Sequence, residues 1–239
     1  MSSRILVPLG LLGGLLLLGV VGGCGSAPAS PALANTVDAD QQAAGWRALF
    51  DGETTSGWRS YGRDDVSAGW VADAGTLHGH GTGGDLITVE TFESFELMID
   101  WKISPGGNSG IFFHVDETDD PAYFSGPEFQ VLDNAGYPDL PTVNQAGANY
   151  ALHAPSEDAT RPAGSWNQAR LVVDGKQVEH WLNGVRIVEY TLHDDDWRAR
   201  VAACKFSKWP AYGMAGRGHI ALQDHGNDVW YRNILVREL

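Results

Sequence analysis

Two turn dipeptides, Asp174-Gly175 and Asn183-Gly184, sit between short apolar runs and limit what this chain can fold into more than any other feature. Asn or Asp followed by Gly tolerates the positive φ that a two-residue hairpin requires. The runs they join lie at 171–173, 178–182 and 185–190, so this stretch is expected to be a three-stranded antiparallel meander. The same period of two recurs where Phe95, Leu97, Ile99, Trp101 and Ile103 alternate with Glu96, Met98, Asp100 and Lys102. Further strands are expected at 70–71, 76–80, 85–88, 110–115, 128–132, 219–223 and 229–236. No long segment has a 3.6-residue period, and nothing repeats at solenoid spacing. Short strands separated by Gly, Pro, Asn and Asp specify an all-β chain, a sandwich or jelly roll of two antiparallel sheets.

The first residues read differently. Arg4 precedes an apolar run at 5–21, and Val21-Gly22-Gly23-Cys24 follows. Residues 1–23 have the layout of an export signal. The small residues directly before a cysteine resemble a bacterial lipobox, which implies lipidation of Cys24. Residues 24–44 are rich in Ala, Pro and Ser and read as a tether. Residues 45–239 read as one domain, long enough to bury a core. The expected location is outside the cytoplasm, on the periplasmic or cell-surface face of a bacterial membrane, with a lipid anchor as the sole membrane contact.

A formal net charge of -14 and a pI near 4.8 argue against nucleic acid as a partner, which would select a basic face. With Cys24 acylated, Cys204 has no partner for a disulfide. Nine tryptophans, seven tyrosines and thirty glycines suit a β-rich domain that handles sugars, because aromatic faces stack on pyranose rings. A small-molecule carbohydrate is therefore the expected partner.

Several strands carry polar faces of unusual choice. Parity puts Glu128 with Gln130, Asn108 with Phe112 and His114, Gln223 with His225, and Trp230 with Arg232. Solvated strand faces are commonly Lys and Thr, whereas these residues are hydrogen-bonding types. One concave sheet would bring them together. Long loops at 116–127 and 133–166, and a third at 205–217 carrying Lys205 and Lys208, are placed to cover it.

The segments GWRALFDGETTSGW, GGNSGIFFHV, GPEFQVLDN, GSWNQARLVVDGKQVEHWLNG and GHIALQDHGNDVWYRNILVREL resemble the 3-keto-disaccharide hydrolase domain family, across essentially all of 45–239. The resemblance implies a concanavalin A-like jelly roll and activity on glycosides oxidised at C3. A 3-keto group acidifies the C2 hydrogen and places the C1 oxygen β to the carbonyl, so a base can drive elimination, and water can then add. Such chemistry needs a base with a pKa near working pH and a cation or donors at the enolate oxygen. Glu128 and His225 are the candidate acid–base groups. Arg232, Lys205 and Lys208 are candidates for the enolate. Asn108, Gln130 and Gln223 suit ring hydroxyls, and His114, Asp133 and Trp230 complete the expected substrate contacts.

Two other readings compete. A non-catalytic carbohydrate-binding module would keep the aromatics and hydroxyl binders without a poised base. A retaining glycosidase would use Glu128, with Glu128-x-Gln130-x-x-Asp133 standing off the usual three-carboxylate pattern. No cofactor is expected. His78-x-His80 supplies two metal donors without a third fixed by spacing, so no metal site is assigned. A structural Ca²⁺ would need an oxygen cluster, for which Asp194-Asp195-Asp196 is a source, though a solvated turn is the simpler expectation.

Overall fold

A computed structural model describes residues 35–118 and 121–239. The expected signal segment, Cys24 and the start of the expected tether lie outside the described residues. Within them the strands run β1 (Arg47–Ala48), β2 (Trp58–Ser60), β3 (Trp70–Asp73), β4 (Thr76–Gly79), β5 (Leu86–Thr88), β6 (Phe95–Ile103), β7 (Asn108–Val115), β8 (Glu128–Leu132), β9 (Asn167–Asp174), β10 (Gln177–Leu182), β11 (Val185–Thr191), β12 (His219–Leu222) and β13 (Val229–Glu238). One sheet has the order β11-β10-β9-β6-β13-β4-β3, with β1 added on β13. The other has the order β2-β5-β12-β7-β8. All the pairings are antiparallel. The β9-β10-β11 meander forms, with Asn183-Gly184 as one two-residue loop at φ 51° and 86°. The other loop is shifted by one residue from the expected Asp174-Gly175 to Gly175-Lys176, because Asp174 pairs with Gln177.

The alternation in β6 decides the layering. Phe95, Leu97, Ile99, Trp101 and Ile103 are almost completely buried between the sheets. They meet Tyr231 of β13 and, from the facing sheet, Ile111, Phe113, Phe129 and Val131. Burying side chains of this size is the main driving force, at about 1.5–3 kcal/mol each. Each sheet then presents a second face outward, and the polar residues must divide between those two surfaces.

The helical content departs from expectation. Asp194-Asp195-Asp196, expected as a solvated turn, is exposed but forms the start of a helix over Asp195–Ala203. Asp194 caps it by accepting from the Trp197 amide at 2.7 Å, and acidic first-turn residues favour a helix N-terminus. Asp195 and Asp196 pair with Arg198 and Arg200. The expected tether also ends earlier than residue 44. Asn35 and Asn233 exchange reciprocal bonds from each backbone amide to the other's side-chain oxygen, at 2.7 and 2.8 Å. A short helix over Ala39–Ala43 follows with a capping box from Asp38 and Gln41. A low-complexity composition does not exclude a single residue from docking.

Candidate functional site

The outward face of the five-stranded sheet holds a cavity of about 160 Å³ lined by Asn108, Tyr123, Glu128, Gln130, Tyr150, Lys205, Gln223 and His225. Strand register explains the floor. Gly110 lies opposite Gln130, Phe112 lies opposite Glu128 and Ala221, and the Gln223 amide bonds the Gly110 carbonyl at 2.9 Å. Residues opposite each other in an antiparallel pair share a face. Glu128, Gln130, Asn108 and Gln223 therefore come together as their parities require.

Glu128 lies across Gly110. A Cβ at Gly110 would meet Glu128 Oε1 at 2.5 Å, so only glycine leaves room for the carboxyl group. β8 is an edge strand, yet all five of its residues are buried. Residues 147–150 run alongside it: the Gln130 amide bonds Ala148 O, and the Tyr150 amide bonds Glu128 O, both at 3.1 Å. The carboxyl group of Glu128 accepts no hydrogen bond from the described residues. Burial, with a smaller contribution from Asp85, raises its pKa from 4.5 to about 8, against the attraction of Lys205. It is the one carboxylic acid among the lining residues.

All three long loops contribute to the walls. Lys205 opens a 3-10 turn over Lys205–Lys208, and its Nζ lies 4.4 Å from the Tyr150 ring centroid and 5.3 Å from that of Tyr123. Partial desolvation lowers the Lys205 pKa, and the charge of Glu128 opposes that shift. Tyr123 packs edge-on against Trp209 at 5.7 Å, and Phe124 stacks on Trp209 at 4.2 Å. Gln130 gives its Nε2 to Asn144 O at 3.1 Å, while its Oε1 is buried without a partner, as is Asn108 Oδ1. Buried polar atoms without partners are uncommon and call for an explanation. Here both belong to residues that line the cavity. His225 is exposed at the rim, on the loop after β12.

Five expected site residues lie elsewhere. Arg232 and Trp230 are on β13, in the other sheet, and share a face with their partners Asp100 and Lys102. Since Trp101 and Tyr231 fill the core, that face is the opposite surface of the sandwich. Arg232 sits 4.0 Å over the Trp166 ring, and Trp230 stacks on His78 at 4.6 Å. His114 departs because the β7–β12 register shifts between His219 and Ala221. It takes φ 52° and packs against Phe95 and Phe113, with Nε2 2.7 Å from Glu93 O. Such a bulge re-aims a side chain. Asp133 is held by the turn before β7, its Oδ2 accepting from the Gly106 amide at 2.8 Å, which dissolves the off-pattern carboxylate pair with Glu128. Lys208 stays in solvent because Phe206 is buried and Trp209 is stacked.

Tyr123 and Tyr150 join the site without having been expected. The only signal for them was their position in the two long loops. Gly110 was equally silent, since its role appears only when Glu128 is seen lying over it.

These features define a sandwich with a small, partly unsatisfied polar cavity on one sheet. The chain belongs to the 3-keto-alpha-glucoside-1,2-lyase-like domain family, which matches residues 45–237. It is 37% identical over 236 residues to a protein of Bacteroides thetaiotaomicron named 3-keto-disaccharide hydrolase, covering 85% of this chain and 80% of that one. A crystal structure of a glycosyl-hydrolase candidate from Parabacteroides distasonis superposes with a TM-score of 0.83 at 32% identity, covering 87% of this chain and all of that one. A second structure from the same organism gives a TM-score of 0.61 at 25% identity, covering 90% and 94%.

Proposed function

We propose that this protein is a carbohydrate-cleaving enzyme that breaks the glycosidic bond of 3-keto-glycosides by elimination, followed by hydration. The observation that carries the reading is Glu128: a buried carboxyl group with a pKa near 8, unbonded, on the floor of a cavity. A base works best with a pKa near the operating pH. Burial raises the proton affinity of the carboxylate and so strengthens it as a base for the C2 proton. The cavity is below the about 300–1,000 Å³ usual for drug-sized ligands, which suits one sugar ring.

In this mechanism the Glu128 carboxylate takes the C2 proton. The electron pair of that bond moves onto the C3 oxygen as an enolate, beside the Lys205 ammonium. The enolate collapses to a C1–C2 double bond as the C1–O bond breaks. The departing oxygen takes a proton at the rim, where His225 is placed to give it. Water then adds, its hydroxyl to C1 and its proton to C2, so the sum is hydrolysis. The family description as a lyase and the relative's name as a hydrolase both fit this sequence, the first naming its opening half and the second its total. Asn108, Gln130 and Gln223 hold ring hydroxyls, and Lys205 takes the role first considered for Arg232.

The test is a pair of glycosides, 3-keto and unoxidised, with aglycone release as readout. The reading predicts release from the keto substrate alone. Equal rates on both would favour ordinary glycoside hydrolysis, and binding without release would favour a carbohydrate-binding module. We also propose export and lipid anchoring through Cys24. Cys24→Ser should then move the protein out of the membrane fraction or leave it unprocessed, and unchanged fractionation and mobility would contradict the anchor.

A further inference from the structure

The sequence supplies His78 and His80 two residues apart, a spacing that puts both imidazoles on one strand face. The fold supplies the third donor. Asp228, immediately before β13, brings its Oδ1 to 2.8 Å from His78 Nε2 and 3.6 Å from His80 Nδ1. One donor atom from each of the three residues lies within 4.8 Å of the others. The two rings are 3.8 Å apart between centroids, and Trp230 stacks on His78 at 4.6 Å, fixing the plane of that imidazole. We propose that His78, His80 and Asp228 form a binding site for a divalent transition metal of the Zn²⁺ class.

Metal–nitrogen and metal–oxygen bonds of about 2.0–2.2 Å put tetrahedral ligands about 3.3 Å apart. The two separations from Asp228 bracket that value, and all three donor atoms lie within 4.8 Å of one another, so side-chain rotations within the cluster bring them to one ion. Two imidazoles and one carboxylate suit Zn²⁺, Co²⁺ or Ni²⁺ and disfavour Ca²⁺, which selects oxygen. Two of the ligands are half in solvent, with side-chain exposures of 44% for His80 and 49% for Asp228, so an ion has a way in.

The position gives the site a consequence. Asp228 ends the loop 223–228, whose other end supplies Gln223 and His225 to the catalytic cavity. His80 is followed by Gly81, which lies so close to Gly226 that a Cβ there would meet the Gly226 carbonyl carbon at 2.5 Å. A metal joining His78 and His80 to Asp228 therefore ties the β3–β4 hairpin to the loop that carries His225. No step of the proposed cleavage passes through this ion, and the site stands or falls independently of that reading.

The full chain, stripped with a chelator, is titrated with Zn²⁺ by calorimetry and with Co²⁺ by visible absorption. Wild type should take up one equivalent saturably, with the d–d bands of a nitrogen-ligated Co²⁺, and a tenfold excess of Ca²⁺ should not compete. His80→Ala and Asp228→Asn should each weaken uptake about tenfold or more, and Zn²⁺ should raise the melting temperature of wild type but not of the variants. Their exposure means that both variants keep the fold, which circular dichroism in the metal-free state checks. His193→Ala, at a histidine bonded to Gly213 O and remote from the cluster in the fold, should bind as wild type does. Absence of saturable uptake by wild type, or equal uptake by the two variants, overturns the site.

Discussion

The two outward faces of the sandwich carry similar residue types and treat them in opposite ways. On the eight-stranded sheet the charges are partnered. Glu96 is held between Arg170 and Arg237, the latter at 2.5 Å. Asp100 accepts from Gln168 at 3.3 Å, Arg232 at 3.4 Å and Asn233 at 2.8 Å. That face even holds a larger hollow, of about 330 Å³, lined by Asp100, Trp166, Gln168 and Arg232 among others. On the five-stranded sheet the cavity is smaller, and its polar groups are left wanting: Glu128 without a hydrogen bond, and Gln130 Oε1 and Asn108 Oδ1 buried and unpaired. Folding alone favours satisfied groups. We read the face that keeps unsatisfied groups beside its cavity as the one that takes the ligand.

The largest expected effect separates the faces at once. Glu128→Gln should lower turnover on a 3-keto-glycoside by about 10² or more, while stability rises at neutral and alkaline pH. The sign follows from linkage. The folded-state pKa is raised, from 4.5 to about 8, so between those values the folded chain binds more protons than the unfolded one. The contribution of Glu128 to stability therefore falls as pH rises through 4.5 to 8 and levels off above, whereas buried His180, whose pKa is lowered, contributes with the opposite sign at acid pH. At about 1.4 kcal/mol per unit the loss is of order a few kcal/mol. Denaturant melts of both proteins at pH 5 and pH 9 check it: the gap should open with pH, and parallel behaviour would mean that Glu128 is not desolvated.

Lys205→Met comes next, with turnover falling by about 10² if its ammonium faces the developing enolate. A fall confined to KM would make Lys205 a hydroxyl binder instead. Gly110→Ala sharpens the geometric claim, since the added methyl displaces the Glu128 carboxyl group. A loss of about tenfold or more with a folded protein is expected, because small misplacements of a catalytic group are costly. The smallest effect belongs to the other face. Arg232→Met should leave turnover within about twofold and cost roughly 0–1 kcal/mol, as an ion pair that is partly in solvent is worth little. A turnover loss comparable to that of Lys205→Met would erase the contrast between the two faces.

The same contrast shows what was legible in the sequence. The existence of most strands was, because β6, β10 and β11 follow period-two alternation and hairpin chemistry that act locally, whereas β1 and β2 are too short to show a period and were not expected. The grouping of Glu128, Gln130 and Asn108 was legible too, because parity is local, while Gln223 and His225 reach the same cavity from the loop after β12. Sheet membership was not. Trp230 and Arg232 have the right parity for a polar face, but only long-range pairing puts β13 beside β6 instead of β12. His114 was lost to a single bulge, which alternation cannot foresee. Tyr123, Tyr150 and the inward turn of Lys205 depend on loops with no periodicity to read. Asp228 as a partner of His78 is likewise a contact across 150 residues that no spacing encodes.

The central claim is that the cavity around Glu128 removes the C2 proton of a 3-keto sugar. The most direct test runs the reaction in D₂O and measures hydrogen at C2 of the released sugar at early times, corrected for exchange without enzyme. The account predicts that wild type releases either a C1–C2 unsaturated keto sugar or a keto sugar carrying solvent deuterium at C2, and that Glu128→Gln releases neither above the enzyme-free rate. Release of a keto sugar that retains its original C2 hydrogen would contradict it.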